Sequence, residues 1–222
     1  VGYSNGGALA VKYALDALAD PALHRPDQLI LLSPMIGVTR FARFAGLAGW
    51  PAIFPPFVKA AWLSILPEYN PFKYNSFPVN AGRESWRLVA ALQGEIDAAV
   101  RDGRMAEMPP VLTFQSAIDF TVSTSAVVTG LYPHLPDNGS DLVLFDVNRA
   151  AKLGVLLRQR AKRAVETLLP PAPRSYAASI VGNAAPGEAA VVERRVAADG
   201  TGETVTPLGV DYPRDVFSLS HI

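Results

Sequence analysis

The residues Gly2-Tyr3-Ser4-Asn5-Gly6-Gly7 read as G-x-S-x-G running directly into an alanine-rich stretch of helical period. In that pattern a strand turns sharply into a helix. The turn lifts the central serine hydroxyl above the sheet, and small residues flank it because a side chain there collides with neighbouring backbone. Ser4 is therefore a candidate nucleophile, with Gly2 and Gly6 as the motif glycines. A helix starting here aims its first N–H groups and the positive end of its dipole at negative charge developing beside the serine. The Asn5 N–H is accordingly a candidate oxyanion donor. At glycine and serine frequencies of about 7% each, such a motif arises by chance in roughly one chain in ten of this length, so its meaning depends on partners elsewhere.

Composition closes several other routes. The 222 residues are 50% hydrophobic and 18% charged, enough for a sizeable core. Twenty basic and 20 acidic residues balance without a basic run, which gives no electrostatic case for nucleic acid. No cysteine is present, so thiol catalysis, disulfides and thiolate metal sites are excluded. The three histidines form no H-x-x-H or H-E-x-x-H pattern, and neither a metal nor a cofactor is expected. The apolar region 41–66 is interrupted by Arg43, Lys59 and prolines 51, 55 and 56, so no membrane span is expected. Val1 stands where a native start has Met, and almost no strand precedes the turn; both predict a piece of a longer chain lacking its N-terminal strands. Any signal peptide would lie upstream, so the sequence says nothing about compartment, and a cytoplasmic location is kept only as the default expectation.

The spacing of Leu9, Ala10, Tyr13, Ala14, Ala17 and Leu18 predicts a helix up to Asp20-Pro21. Gln28 to Ser33 is a continuously apolar run before Pro34, as in a strand of a parallel sheet, so the order is β-α-β. Residues 37–108 break that rhythm with Trp50, Trp62, Trp86 and a Pro/Asn/Tyr-rich stretch at 67–80. They read as an insertion ending in an amphipathic helix with Leu88, Val89, Leu92, Ile96 and Val100 on one face. Such an apolar cap over the strand ends would form a pocket for a greasy substrate; alternatively these aromatics pack on the body of the domain. Strands are expected at 110–115 and 142–145, a helix at 150–169, and a β-hairpin from 191–196 and 203–206 around Asp199-Gly200-Thr201-Gly202. The segments are then 1–36 core, 37–108 cap and 109–222 core, in an α/β fold with a parallel sheet flanked by helices.

In an open parallel sheet functional groups collect at the carboxyl ends of the strands. His24 and His134 each precede a strand and fall at the opposite end, which leaves His221, after the extended run Val216 to Ser220, as the candidate general base, the alternative being a terminal histidine with no role. Asp119 follows the strand at 110–115 and is the first choice for the acid. Asp146, which ends the next strand, is the second, and an aspartate with a purely structural role is the third reading.

The order Ser4, Asp119, His221 is that of the α/β-hydrolases. With the turn, the β-α-β unit and the insertion, the chain resembles that superfamily over nearly its whole length. The stretches Glu68-Tyr69-Asn70-Pro71-Phe72-Lys73-Tyr74-Asn75-Ser76-Phe77-Pro78 and Val216-Phe217-Ser218-Leu219-Ser220-His221 are similar to a bacterial branch near the serine aminopeptidase S33 and monoacylglycerol-lipase-like hydrolases. The resemblance implies the C-terminal portion of that fold, with several strands and a second oxyanion donor lying before the turn. It also implies a small ester or lipid-like substrate cleaved through an acyl-enzyme, without a cofactor. An S33-type aminopeptidase or amidase would need an acidic pocket, and Glu68, Glu84 and Glu95 are scattered. A non-catalytic binding protein on the same fold is the third class.

Overall fold

The computed structural model describes residues 1–37, 59, 61–65, 76–117, 119, 122–147 and 167–213. It divides into two compact units, Val1–Gly37 with Leu92–Ile222, and Val38–Ala91. Strand β1 (Gly2–Tyr3) turns at Ser4 into helix α1 (Asn5–Ala19), and Asp20 caps the far end with its N–H on the Asp16 carbonyl at 2.8 Å. Small residues let α1 lie close on the sheet. Its buried stripe is Gly7, Ala8, Val11, Ala14, Leu15 and Ala17. Leu9 and Tyr13, which share the helical spacing noted in the sequence, are exposed instead; the Tyr13 hydroxyl donates to the His24 carbonyl.

The chain continues through β2 (Leu29–Leu32), then in the smaller unit β3 (Trp62–Ser64) and β4 (Phe77–Pro78), which pair antiparallel. Helix α2 (Val79–Arg101) buries Ser85, Val89, Leu92, Ile96 and Ala99. The expected apolar face thus ends on Ala99, and Val100 is exposed. Strand β5 (Val111–Ser116), helix α3 (Thr124–Gly130), strands β6 (Asp141–Asp146), β7 (Ala177–Asn183), β8 (Ala190–Val196) and β9 (Glu203–Asp211) complete the order. The helix expected at 150–169 falls almost wholly outside the described residues.

Seven strands form the main sheet in the order β1-β2-β5-β6-β7-β8-β9. The first five are parallel and the last two antiparallel, so this is an α/β architecture with helices on a mostly parallel sheet. β2, β5 and β6 are short apolar runs in which buried residues (Leu29 and Leu31, Val111 and Thr113, Leu142 and Leu144) alternate with half-buried ones. Thr113 and Leu31 pair in register and are both fully buried. At the amino end of the sheet Tyr132 is fully buried, edge-on to Tyr176 at 4.8 Å, and its hydroxyl donates to the Asp141 carbonyl at 2.6 Å. Burial pushes its phenol far above the usual tyrosine range, as charging it there would strand an anion in the core.

The sequence reading did not anticipate β3, β4 or β7, and it stopped β9 short. β7 is built largely from small residues, Ala177, Ala178, Ser179 and Gly182, and Gly182 has a reason: a Cβ there would stand 2.9 Å from the Asp146 carbonyl oxygen. β9 runs to Asp211, through Pro207 and Gly209 and beyond the expected end at 206. It is exposed along its whole length at the sheet edge, where a proline that cannot donate to a further strand is tolerated.

Candidate active site

Ser4 has φ 52° and ψ −119°, a conformation that an L-residue adopts at a cost and that surrounding bonds must impose. Four bonds do so. The Ser4 N–H donates to the Leu32 carbonyl at 3.0 Å, and the Ser4 carbonyl accepts from Gly7 and Met35 at 3.0 Å and Ala8 at 3.4 Å. Serine is a favoured N-cap because its oxygen usually accepts from the first turn. Here Ser4 occupies the N-cap of α1 and makes no side-chain capping bond. Its hydroxyl is turned out of the role that its position would give it. Asn5 is the first helical residue, where backbone N–H groups face the amino end of the helix.

The glycines divide unequally. A Cβ on Gly2 would lie 2.5 Å from the Gly6 carbonyl oxygen, so the strand and the first helical turn approach too closely for any side chain. Gly6 meets nothing within 4 Å. The crowded position is Gly7, where a Cβ would lie 2.6 Å from Pro34 Cβ and 2.8 Å from its Cα. The expectation that Gly6 is required for space is thus corrected: the turn after β2 packs against residue 7.

That turn carries a feature with no sequence signal. Ser33 has φ 42°, is fully buried, and its hydroxyl has no hydrogen-bond partner among the described residues. Its N–H donates to the Phe114 carbonyl at 2.8 Å, tying the turn to β5.

Asp119 lies beyond the carboxyl end of β5, two strands from β1. Both of its carboxylate oxygens are held: Oδ1 accepts from the Val122 N–H at 3.0 Å and Oδ2 from Gln115 Nε2 at 3.0 Å. Its charge reaches the turn. Burial first and then the Asp119 carboxylate push the Tyr3 phenol above its ordinary value. Asp119 and the residue preceding Ser4 therefore share one end of the sheet. Asp146 ends β6, one strand further from Ser4. Asp141 lies at the other end and pairs with Arg195 at 2.6 Å.

His221 lies outside the described residues. Chain polarity still bears on it. β8 and β9 each reverse direction, so β9 runs the same way as β1 and ends where β1 ends; Tyr212 N–H donates to the Ala189 carbonyl there at 2.8 Å. Six strand spacings separate β9 from β1, about 29 Å. His24 and His134 precede the parallel strands β2 and β6, at the opposite end.

Among the described residues no group of three or more His, Asp or Glu could hold a metal ion, and no helix is long and apolar enough to cross a membrane. No family model matches the chain, and no curated protein matches it. Among solved structures, an ADP complex of Bacillus subtilis pyridoxal kinase is similar at 11% identity and a TM-score of 0.29, covering 64% of this chain. The alignment spans 60% of the kinase chain, and a likeness of that size carries no argument about fold or chemistry.

Proposed function

We propose that the protein is a serine hydrolase of α/β-hydrolase type that cleaves a carboxylic ester through an acyl-enzyme. The observation that carries this reading is Ser4 itself: a half-buried serine at a helix N-cap, held at φ 52° and making no capping bond, with the doubly held Asp119 carboxylate at the same end of the sheet. A serine whose only task was to start α1 would have no need of such a backbone.

In this mechanism His221 removes the Ser4 proton as Oγ forms a bond to the acyl carbon. Asp119 orients the imidazole and stabilises the imidazolium. The Asn5 N–H supports the oxyanion. Collapse of the tetrahedral species breaks the ester C–O bond, and His221 returns the proton to the departing alcohol oxygen. Water then attacks the acyl-enzyme with His221 again as base, releasing the carboxylic acid and restoring the Ser4 hydroxyl. An ester with an apolar acyl chain is favoured over a peptide by the apolar, aromatic composition of 37–108 and its scattered acids.

The test is reaction with an alkyl fluorophosphonate, which labels an activated serine whatever the natural substrate. Ser4 is expected to be the labelled residue by peptide mapping, and Ser4→Ala to lower ester turnover by about 10⁴-fold or more. A protein that never labels, or one whose turnover survives Ser4→Ala, is not this enzyme and fits a binding module instead.

A further inference from the structure

Gln115 is the next-to-last residue of β5, among residues that are otherwise apolar or small, and it is fully buried. A buried amide in a strand interior is costly unless it is bonded. Its Nε2 donates to Asp119 Oδ2 at 3.0 Å and to Thr124 Oγ1 at 3.2 Å. Thr124, itself buried, passes its own hydroxyl proton to the Ser116 carbonyl at 2.8 Å. The result is a chain from the backbone of β5, through Thr124 at the start of α3, to one oxygen of the carboxylate. The Val122 N–H holds the other oxygen at 3.0 Å. The Gln115 orientation follows from chemistry: an ionised carboxylate only accepts, so the amide nitrogen must face it. Its Oε1 is buried with no partner among the described residues. The amide is thus held by what its nitrogen does.

We infer that Gln115 is a positioning residue for the acid of the proposed triad, fixing the Asp119 carboxylate through a bond to Oδ2. This rests on the serine-hydrolase reading above. A free carboxylate on a loop rotates about χ1 and χ2, and each rotation misaligns the imidazole that Ser4 depends on. Two N–H donors, one on each oxygen, remove that freedom.

The test uses the whole protein and the alkyl fluorophosphonate as probe, with the labelling rate at Ser4 measured across pH. Gln115→Met keeps the length and removes the donor; labelling is expected to slow about 10- to 100-fold, as for loss of a bond to a charged group. Gln115→Glu keeps the shape and adds a carboxyl 3.0 Å from Asp119 Oδ2. Like charges that close share a proton, so the new group donates at acid pH and repels once ionised. Among the described residues Tyr3 is a titratable neighbour of Asp119, and burial and that carboxylate raise its pKa above the ordinary tyrosine value. The ratio of the Gln115→Glu rate to the unsubstituted rate is therefore expected to be near one at acid pH and to fall as pH rises. Thermal melts accompany each variant, and the Glu variant preserves the test if the Met variant does not fold. If the unsubstituted protein labels at Ser4 and the Glu ratio is flat with pH, the role of Gln115 is overturned while the triad stands. If the unsubstituted protein does not label, both readings fall together.

Discussion

Gly6 and Gly7 are adjacent and identical, yet their surroundings make them opposites. An added methyl at 6 meets open space, whereas one at 7 runs into Pro34 at 2.6 Å. Gly6→Ala is expected to leave the melting temperature unchanged or raise it, because alanine restricts the unfolded chain and favours helix. Gly7→Ala is expected to destabilise by about 1–3 kcal/mol through overpacking. Equal melts for the two variants would refute this difference. At this scale the sequence was readable where a residue type announces its chemistry. Ser4 stood in a motif and Asp119 followed an apolar run. Gln115 and Ser33 did not announce themselves, because a glutamine or serine at the end of an apolar run looks like the edge of a strand. Only the three-dimensional partners of Gln115 and the backbone angle of Ser33 distinguish them.

Among the elements, strands built from β-branched and leucine residues were legible, and β7 was not. Its burial comes from β6 and β8 on either side, a tertiary cause that small residues do not advertise. One side-chain cluster ties these three strands. The Arg195 guanidinium on β8 crosses β7, donating to Ser179 Oγ at 2.9 Å and to Asp141 on β6 at 2.6 Å; Ser179 in turn donates to Glu193 at 2.7 Å. The Asp141 bond and charge, with that of Glu193, raise the already high Arg195 pKa, so the cation persists at any pH the fold survives. Its side chain is 38% exposed, which screens the pair. A double-mutant cycle of Arg195→Ala and Asp141→Ala is expected to give a coupling of about 1 kcal/mol that shrinks in high salt. A coupling indistinguishable from zero at low salt would remove the cluster as a tie between the parallel and antiparallel parts.

At the scale of the whole molecule, buried tyrosines contribute a loss of stability at alkaline pH. Tyr132 and Tyr176 are raised chiefly by burial, and Tyr212 is also raised by burial. A folded-state pKa above the unfolded value gives stability that is complete below about pH 10 and is lost as pH climbs beyond it, since the unfolded chain then releases protons that the native state retains. Denaturant unfolding at about pH 8 and about pH 11 is expected to show this fall, by up to about 1.4 kcal/mol per pH unit from Tyr132 alone. Tyr132→Phe is expected to flatten that slope while costing about 1–3 kcal/mol at neutral pH, where the Asp141 carbonyl loses its donor. An unchanged slope would mean that the phenol ionises as readily in the fold as outside it.

The β8–β9 hairpin acts on this molecule as a change of parity. One reversed strand would deliver the chain to the amino end of the sheet, away from Ser4; two bring it back to the side it left. Each such pair of strands also moves the point of departure sideways by about 10 Å. The hairpin therefore returns the described chain to the end of the sheet that holds Ser4 and Asp119, six strands across from β1.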